Sequence, residues 1–285
     1  MRTQWRSWLM ASLCLCVLVT AGCTGTVDNE TATTPTATPL PSAPAVSINE
    51  TPVQYAEVNG VSLAYREFGE GDPLLLITGF GEVMEDWNET FVGMLAEEYH
   101  VYMYDHRAMG HSGEGDAPYT LPQLSDDAAG LVDALGHESM HIYGVSMGSS
   151  VSQQLVVDHP ETVRKLVLSS PSYIVGPNET ATLYTLVIES AGDPSLPEGV
   201  RKEAGAILAW EGTYDGLSGI TNDVMLLVGT DDVITPDSIA VQMAGEIEGS
   251  WLVRFKGIPH VGSAYAPEEY GRVVLTFLEV DESPE

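Results

Sequence analysis

Lysine is almost missing from this chain: it stands only at Lys165, Lys202 and Lys256. Eleven basic residues face 41 acidic ones, for a formal net charge of −30. A surface so short of positive charge repels phosphate backbones, which excludes nucleic acid as a partner. It suits a salty habitat, where counterions screen the self-repulsion, and equally an ordinary acidic exported protein. Cysteine is confined to Cys14, Cys16 and Cys23. The body of the chain therefore has no internal disulfide, no zinc–thiolate site and no cysteine nucleophile. The apolar stretch from Trp8 to Thr20 is too short for a membrane span. No internal repeat is present. At 44% hydrophobic residues, the rest is enough for one large folded domain behind a leader.

The leader begins with Arg2 and Arg6, continues through the apolar stretch and closes on Ala21-Gly22-Cys23. A basic start, a short apolar core and small residues predict a signal peptide over residues 1–22. A cysteine directly after small residues resembles a lipoprotein signal, although Thr20 stands where an aliphatic residue is usual. That resemblance implies lipidation of Cys23 and an exported protein on the outer face of the cell membrane. Secretion in soluble form is the alternative. From Thr24 to Pro44 the chain is dominated by Thr, Pro, Ala and Ser and lacks apolar residues to build a core. It reads as an extended spacer within a linker over residues 23–51. Asn-Glu-Thr occurs at Asn29, Asn49, Asn88 and Asn178, each an acceptor pattern for an N-glycan.

From Pro52 onward, short β-rich runs alternate with helical patterns, which predicts βαβ units and a mostly parallel sheet. Gln54–Val58 and Val61–Phe68 read as a hairpin around Asn59-Gly60. Leu74–Thr78 reads as a buried central strand. His100–Tyr104, Met140–Tyr143, Lys165–Ser169, Val224–Gly229 and Trp251–Phe255 follow in the same style. Between Pro171 and Thr221 the pattern is helical only, over Glu179–Ala191 and Glu198–Trp210. This is the expected helical lid, at about 171–221, over the carboxyl ends of the strands, where open α/β sheets bind ligands.

Gly144-Val145-Ser146-Met147-Gly148 lies between a strand and a helical stretch. A serine in a sharp strand-to-helix turn flanked by glycines is a nucleophile elbow. Its hydroxyl needs a base. In the fold that such an elbow resembles, the acid and then the histidine follow the serine, and here only His159 and His260 do. His159 precedes Pro160 at a helix end, where it is expected to cap the terminal carbonyls. His260 follows the last strand and is the candidate base. The acid comes from Asp231-Asp232, after the preceding strand. Trp87, Met84 and Met147 are candidates for an acyl pocket, or simply core.

Taken together these motifs resemble the α/β-hydrolase superfamily, in its lid-bearing serine hydrolase branch, over residues 53–280. Gly229-Thr230-Asp231-Asp232-Val233-Ile234-Thr235-Pro236 resembles the family's G-x-x-D-x-x-x-P acid loop. Tyr104-Asp105-His106-Arg107-Ala108-Met109-Gly110-His111-Ser112 resembles its D-x-R-G-x-G-x-S loop, with Ala108 replacing a glycine. The resemblance implies an α/β-hydrolase fold, a mostly parallel twisted sheet flanked by helices, over residues 52–285. It also implies a triad of Ser146, Asp232 and His260, with Asp232 chosen over Asp231 by the family spacing. Thr78-Gly79-Phe80-Gly81 stands where the family reads His-Gly, so the oxyanion donors would be the N–H groups of Phe80 and Met147. Asp105, His106 and His111 would brace the site, with no metal and no cofactor. The implied activity is hydrolysis of a small to medium carboxylic ester through an acyl-serine. Other reactions of the same triad remain open: peptidase, carbon–carbon bond hydrolase, perhydrolase. So does a catalytically idle binding protein.

Overall fold

The computed structural model describes residues 46–280. The expected signal segment, Cys23, Asn29 and most of the expected linker fall within residues 1–45, outside the described residues. No helix within 46–280 is long and apolar enough to cross a membrane.

Strands β1 (Gln54–Val58) and β2 (Val61–Phe68) form a hairpin whose turn residue Asn59 sits at φ 48°. Strand β3 (Asp72–Ile77) leads through a short 3-10 turn to helix α1 (Glu89–Leu95), then β4 (Tyr99–Tyr104) and α2 (Leu121–Ala134). Next come β5 (Met140–Val145), α3 (Met147–Asp158) and β6 (Val163–Ser169). Three helices, α4 (Ala181–Gly192), α5 (Glu198–Ala209) and α6 (Tyr214–Leu217), precede the next strand. The chain closes with β7 (Asp223–Gly229), α7 (Asp237–Glu246), β8 (Trp251–Phe255), α8 (Gly262–Tyr265) and α9 (Pro267–Glu279). The strands make one sheet of eight, in the order β1-β2-β4-β3-β5-β6-β7-β8. β1–β2 and β2–β4 pair antiparallel, and every other pair is parallel.

A strand's side chains alternate between faces, so a sheet covered on both sides needs apolar residues at every position. β3 shows this directly. Leu75 and Ile77 pack with α2 and α3, while Leu74 and Leu76 pack with α1 and α9. Burying one such leucine contributes about 1.5–3 kcal/mol relative to exposure. Helices laid on both faces leave the carboxyl ends of the parallel strands as the open edge of the sheet.

Two features depart most from the sequence reading. The linker was expected to run through Thr51, yet Ile48 is 1% exposed within the core on the α1 and α9 side. Its N–H donates to the Glu89 carboxylate at 2.9 Å. Helix α1 was not expected at all. Asn88 caps it, its side-chain oxygen accepting from the N–H groups of Thr90 and Phe91. The Asn-Glu-Thr tripeptide at this site is thus also a helix start. Asn49 and Asn178 are exposed.

Candidate active site

β5 ends at Val145 and α3 begins at Met147, leaving Ser146 alone between them at φ 53°, ψ −119°. Such a conformation is strained for a residue with a side chain. Two bare neighbours make the turn possible. A Cβ on Gly144 would stand 2.3 Å from the Gly148 carbonyl oxygen, and one on Gly148 2.1 Å from that of Ile77. Helix α3 therefore presses directly on the strand ends, and Ser146 projects at its N-terminus.

Ser146 Oγ lies 2.8 Å from His260 Nε2, and His260 Nδ1 lies 2.7 Å from Asp232 Oδ2. The other oxygen of Asp232 accepts the N–H groups of Ile234 and Thr235, each at 2.9 Å. Burial alone would raise this carboxyl's pKa. The charge of His260, its hydrogen bond and the two amides outweigh burial and hold it below the usual carboxylate value. Asp231 points elsewhere: it is exposed and takes only a 3.3 Å bond from the Thr230 hydroxyl. Asp232, and not Asp231, faces His260.

The His260 loop reaches the serine because β7 ends in a glycine. A Cβ on Gly229 would stand 1.9 Å from the Ile258 carbonyl oxygen. The next loop residue, Val261, takes φ 57° and donates its N–H to Ser170 Oγ at 3.1 Å. Ser170 itself sits at φ 47°. Among the described residues, five non-glycines have positive φ, and only Asn59 lies away from this edge of the sheet. Backbone strain is concentrated where the candidate site is built.

The predicted oxyanion loop has a distinct pattern of amide bonding. Gly79 N–H donates to the Glu82 carboxylate at 2.9 Å, and Gly81 N–H to the Glu203 carboxylate at 2.7 Å. Glu82 N–H donates to the Gly79 carbonyl at 3.2 Å. The N–H groups of Phe80 and of Met147, the first residue of α3, donate to none of the described residues. First-turn amides of a helix have no partner within it and suit an anion.

Asp105 ties its own loop to the 3-10 turn after β3, its two oxygens accepting Met84 N–H at 2.8 Å and His111 N–H at 2.7 Å. His106 is fully buried, and burial depresses its pKa to about 4, so it is neutral. No grouping arranged to hold a metal occurs among the described residues. Ala108 takes φ 58°, which explains why the resembling pattern has glycine there. An L-residue in that conformation costs about 1–2 kcal/mol. Under Arg107, a bidentate pair with Asp127 at 2.6 and 2.7 Å anchors the loop to α2. His159 differs from expectation. Its backbone N–H ends α3, but its ring faces the Asp126 carboxylate at 2.8 Å instead of capping carbonyls.

A narrow cleft adjoins Ser146. Its apolar wall is Phe80, Leu121, Met147, Val175, Leu183, Ile207 and Trp210. The last four belong to the insertion between β6 and β7. Trp210 is fixed by its indole N–H, which donates to Gln154 of α3 at 3.0 Å. Of the three residues considered for the pocket, Met147 lines this cleft. Met84 and Trp87 pack in the core beside α1 instead.

Residues 72–199 match the family model described as alpha/beta hydrolase fold. This match agrees with the α/β-hydrolase fold of the sheet and helices described above. Among the chain's relatives is "Putative carbamate hydrolase RutD" of Azorhizobium caulinodans, 24% identical over 80% of this chain and 99% of that protein. The pimeloyl-[acyl-carrier protein] methyl ester esterase of Aeromonas hydrophila is 33% identical over 40% of this chain and 44% of its own. A solved hydrolase of Pseudomonas aeruginosa superimposes with a TM-score of 0.71 at 24% identity, covering 80% of this chain and 98% of that one. This last likeness establishes the fold. Around this site, sequence reasoning missed Glu203, Thr235 and Ser170. Glu203 had a signal: a carboxylate on the stripe of Val200, Ala204 and Ile207, at helical spacing.

Proposed function

We propose that this chain is a serine hydrolase of small to medium carboxylic esters, working through an acyl-serine. The observation that carries the reading is the unbroken line Ser146–His260–Asp232 beside an apolar cleft. Ser146 Oγ attacks the ester carbonyl as its proton passes to His260 Nε2. Asp232 accepts the Nδ1–H of His260, fixes the tautomer and stabilises the imidazolium. The N–H groups of Phe80 and Met147 receive the oxyanion. His260 then gives its proton to the leaving alcohol. Water, activated by the same imidazole, attacks the acyl-serine and releases the acid.

The cleft has no charged residue in its lining, so it suits an uncharged acyl group. The helices between β6 and β7 act as a lid, because they supply most of the cleft's far wall. A panel of p-nitrophenyl esters from acetate to palmitate tests the reading. Turnover is expected to peak at short to medium acyl chains and fall for the longest. No turnover on any member sinks the esterase assignment. Relationship to a carbamate hydrolase over most of the chain favours a second reading, in which the same serine attacks a carbamate carbonyl. A p-nitrophenyl carbamate in the same panel decides between them by its kcat/KM.

The leader and spacer support export with the domain held off the outer face of the membrane by a lipidated Cys23, and N-glycans at exposed Asn49 and Asn178. Cys23→Ser is expected to move the protein from the membrane fraction to the medium with unchanged specific activity. Wild-type protein found wholly in the medium would remove the anchor.

A further inference from the structure

Helix α5 carries a carboxylate where its buried apolar stripe should continue. Glu203 is 0% exposed, between Val200 and Ile207. Its Oε2 accepts Gly81 N–H at 2.7 Å, and the Tyr119 hydroxyl stands 3.5 Å from Oε1. Burial drives its pKa well above the ordinary value. The Gly81 bond opposes this, the charge of Glu82 adds to it, the Tyr119 bond opposes it, and Asp105 adds to it. A carboxyl in such surroundings is costly, and an apolar residue of similar size would avoid the cost.

What this carboxyl holds is one side of the candidate oxyanion donor. Each peptide group is planar, so a hydrogen bond to one of its atoms orients the others. The Gly79–Phe80 peptide contains the Phe80 N–H, and its carbonyl accepts from Glu82 N–H at 3.2 Å. The Phe80–Gly81 peptide contains the Gly81 N–H that Glu203 binds. Phe80 is thus clamped between two fixed planes, one tied within the loop and one tied to a helix 122 residues away. Gly81, at φ 74°, has the backbone freedom to move if that tie is cut. The same helix seats closely on the site: a Cβ on Gly199 would stand 2.2 Å from the Ala108 carbonyl oxygen.

We propose that Glu203 is a positioning residue that aims the Phe80 amide, so that seating of the inserted helices and assembly of the oxyanion hole are one event. The inference rests on the serine hydrolase reading above. It assigns the insertion a part in the chemistry as well as in roofing the cleft. The side chain acts as an acceptor, not as a charge, so an amide in its place serves nearly as well.

The test compares Glu203→Ala, Glu203→Met and Glu203→Gln with wild type. Readouts are kcat and KM on p-nitrophenyl butyrate and the rate at which a fluorophosphonate labels Ser146. Losing one oxyanion donor outright costs about 10²–10³ in kcat, so a donor left in place but misaimed is expected to cost about 10–100-fold. That loss should fall on kcat and on labelling, with KM changed less than about threefold. Glu203→Gln should recover most of both rates. Glu203→Met fills the same space without an acceptor, so it carries the decision if the alanine variant does not fold. Alanine or methionine variants that turn over and label like wild type overturn the inference and leave the nucleophile standing. So does a glutamine variant as slow as methionine. Wild type that does not label at all overturns both this inference and the hydrolase mechanism.

Discussion

Ser146→Ala abolishes hydrolysis and fluorophosphonate labelling while the protein folds as before. In the proposed mechanism the hydroxyl is the group that bonds to the acyl carbon. His260 Nε2, 2.8 Å away, would then face a methyl group and have no proton to accept. In a serine protease, removing the nucleophile alone costs about 10⁶ in kcat, as much as removing the whole triad. The same order is expected here, which places the variant near the background of the assay. Folding should be spared for a specific reason. The strain at Ser146 lies in the backbone, at φ 53°, and alanine carries the same Cβ, so the substitution neither adds nor relieves it. Removing one hydroxyl at a half-buried position changes stability by about 0.5–1.5 kcal/mol at most. A melting temperature within a few degrees of wild type, together with lost turnover, is the expected pair. A variant that keeps more than a few per cent of wild-type turnover sinks the mechanism.

The sequence made some of this legible and concealed the rest, for reasons that differ by element. The buried strands were readable because a sheet covered on both faces leaves no polar position, as in Leu74 through Ile77. Their ends were less so. β6 begins at Val163, but Arg164 and Lys165 break the apolar run that defines it. Helix α1 was hidden because Asn88-Glu89-Thr90 satisfies two patterns at once. As an acceptor tripeptide it predicts a surface loop; as a cap it starts a helix, and local letters do not distinguish them. In the site, Ser146 was legible from its own glycines. His260 was legible only through chain order, since it lies 114 residues from Ser146. Glu203 was illegible as a partner of the Gly81 amide. A backbone N–H has no residue type to read, and the bond spans 122 residues. Ala108 is the reverse case. The sequence showed it as a departure from a glycine pattern, and φ 58° shows what that glycine would have been for.

Asp232→Asn cuts kcat steeply, by about 10⁴ in a comparable serine triad, whereas Asp231→Asn changes it less than about threefold. The two aspartates are neighbours, so the contrast isolates position from composition. Asp232 Oδ2 accepts from His260 Nδ1 at 2.7 Å, while Oδ1 is already filled by the Ile234 and Thr235 amides. Those two amides dictate how an asparagine would sit. Its carbonyl oxygen must take the Oδ1 place, because an NH₂ there would face two donors. Its NH₂ then points at His260 Nδ1, which can only accept. The imidazole is left with its proton on Nε2, facing Ser146 as a donor, and cannot take the serine's proton. The loss therefore belongs to kcat, with KM for a neutral ester little altered. It is also a loss of tautomer and not of fold, since the turn amides keep their acceptor. Asp231 makes only the 3.3 Å bond to Thr230 at the surface. Its replacement removes a charge that lies in water and contributes little through it. Steady-state kinetics on one p-nitrophenyl ester, run on both variants, is the measurement. Equal losses in the two, or a larger loss in Asp231→Asn, would show that the carboxylate orienting His260 in solution is not the one this geometry places there.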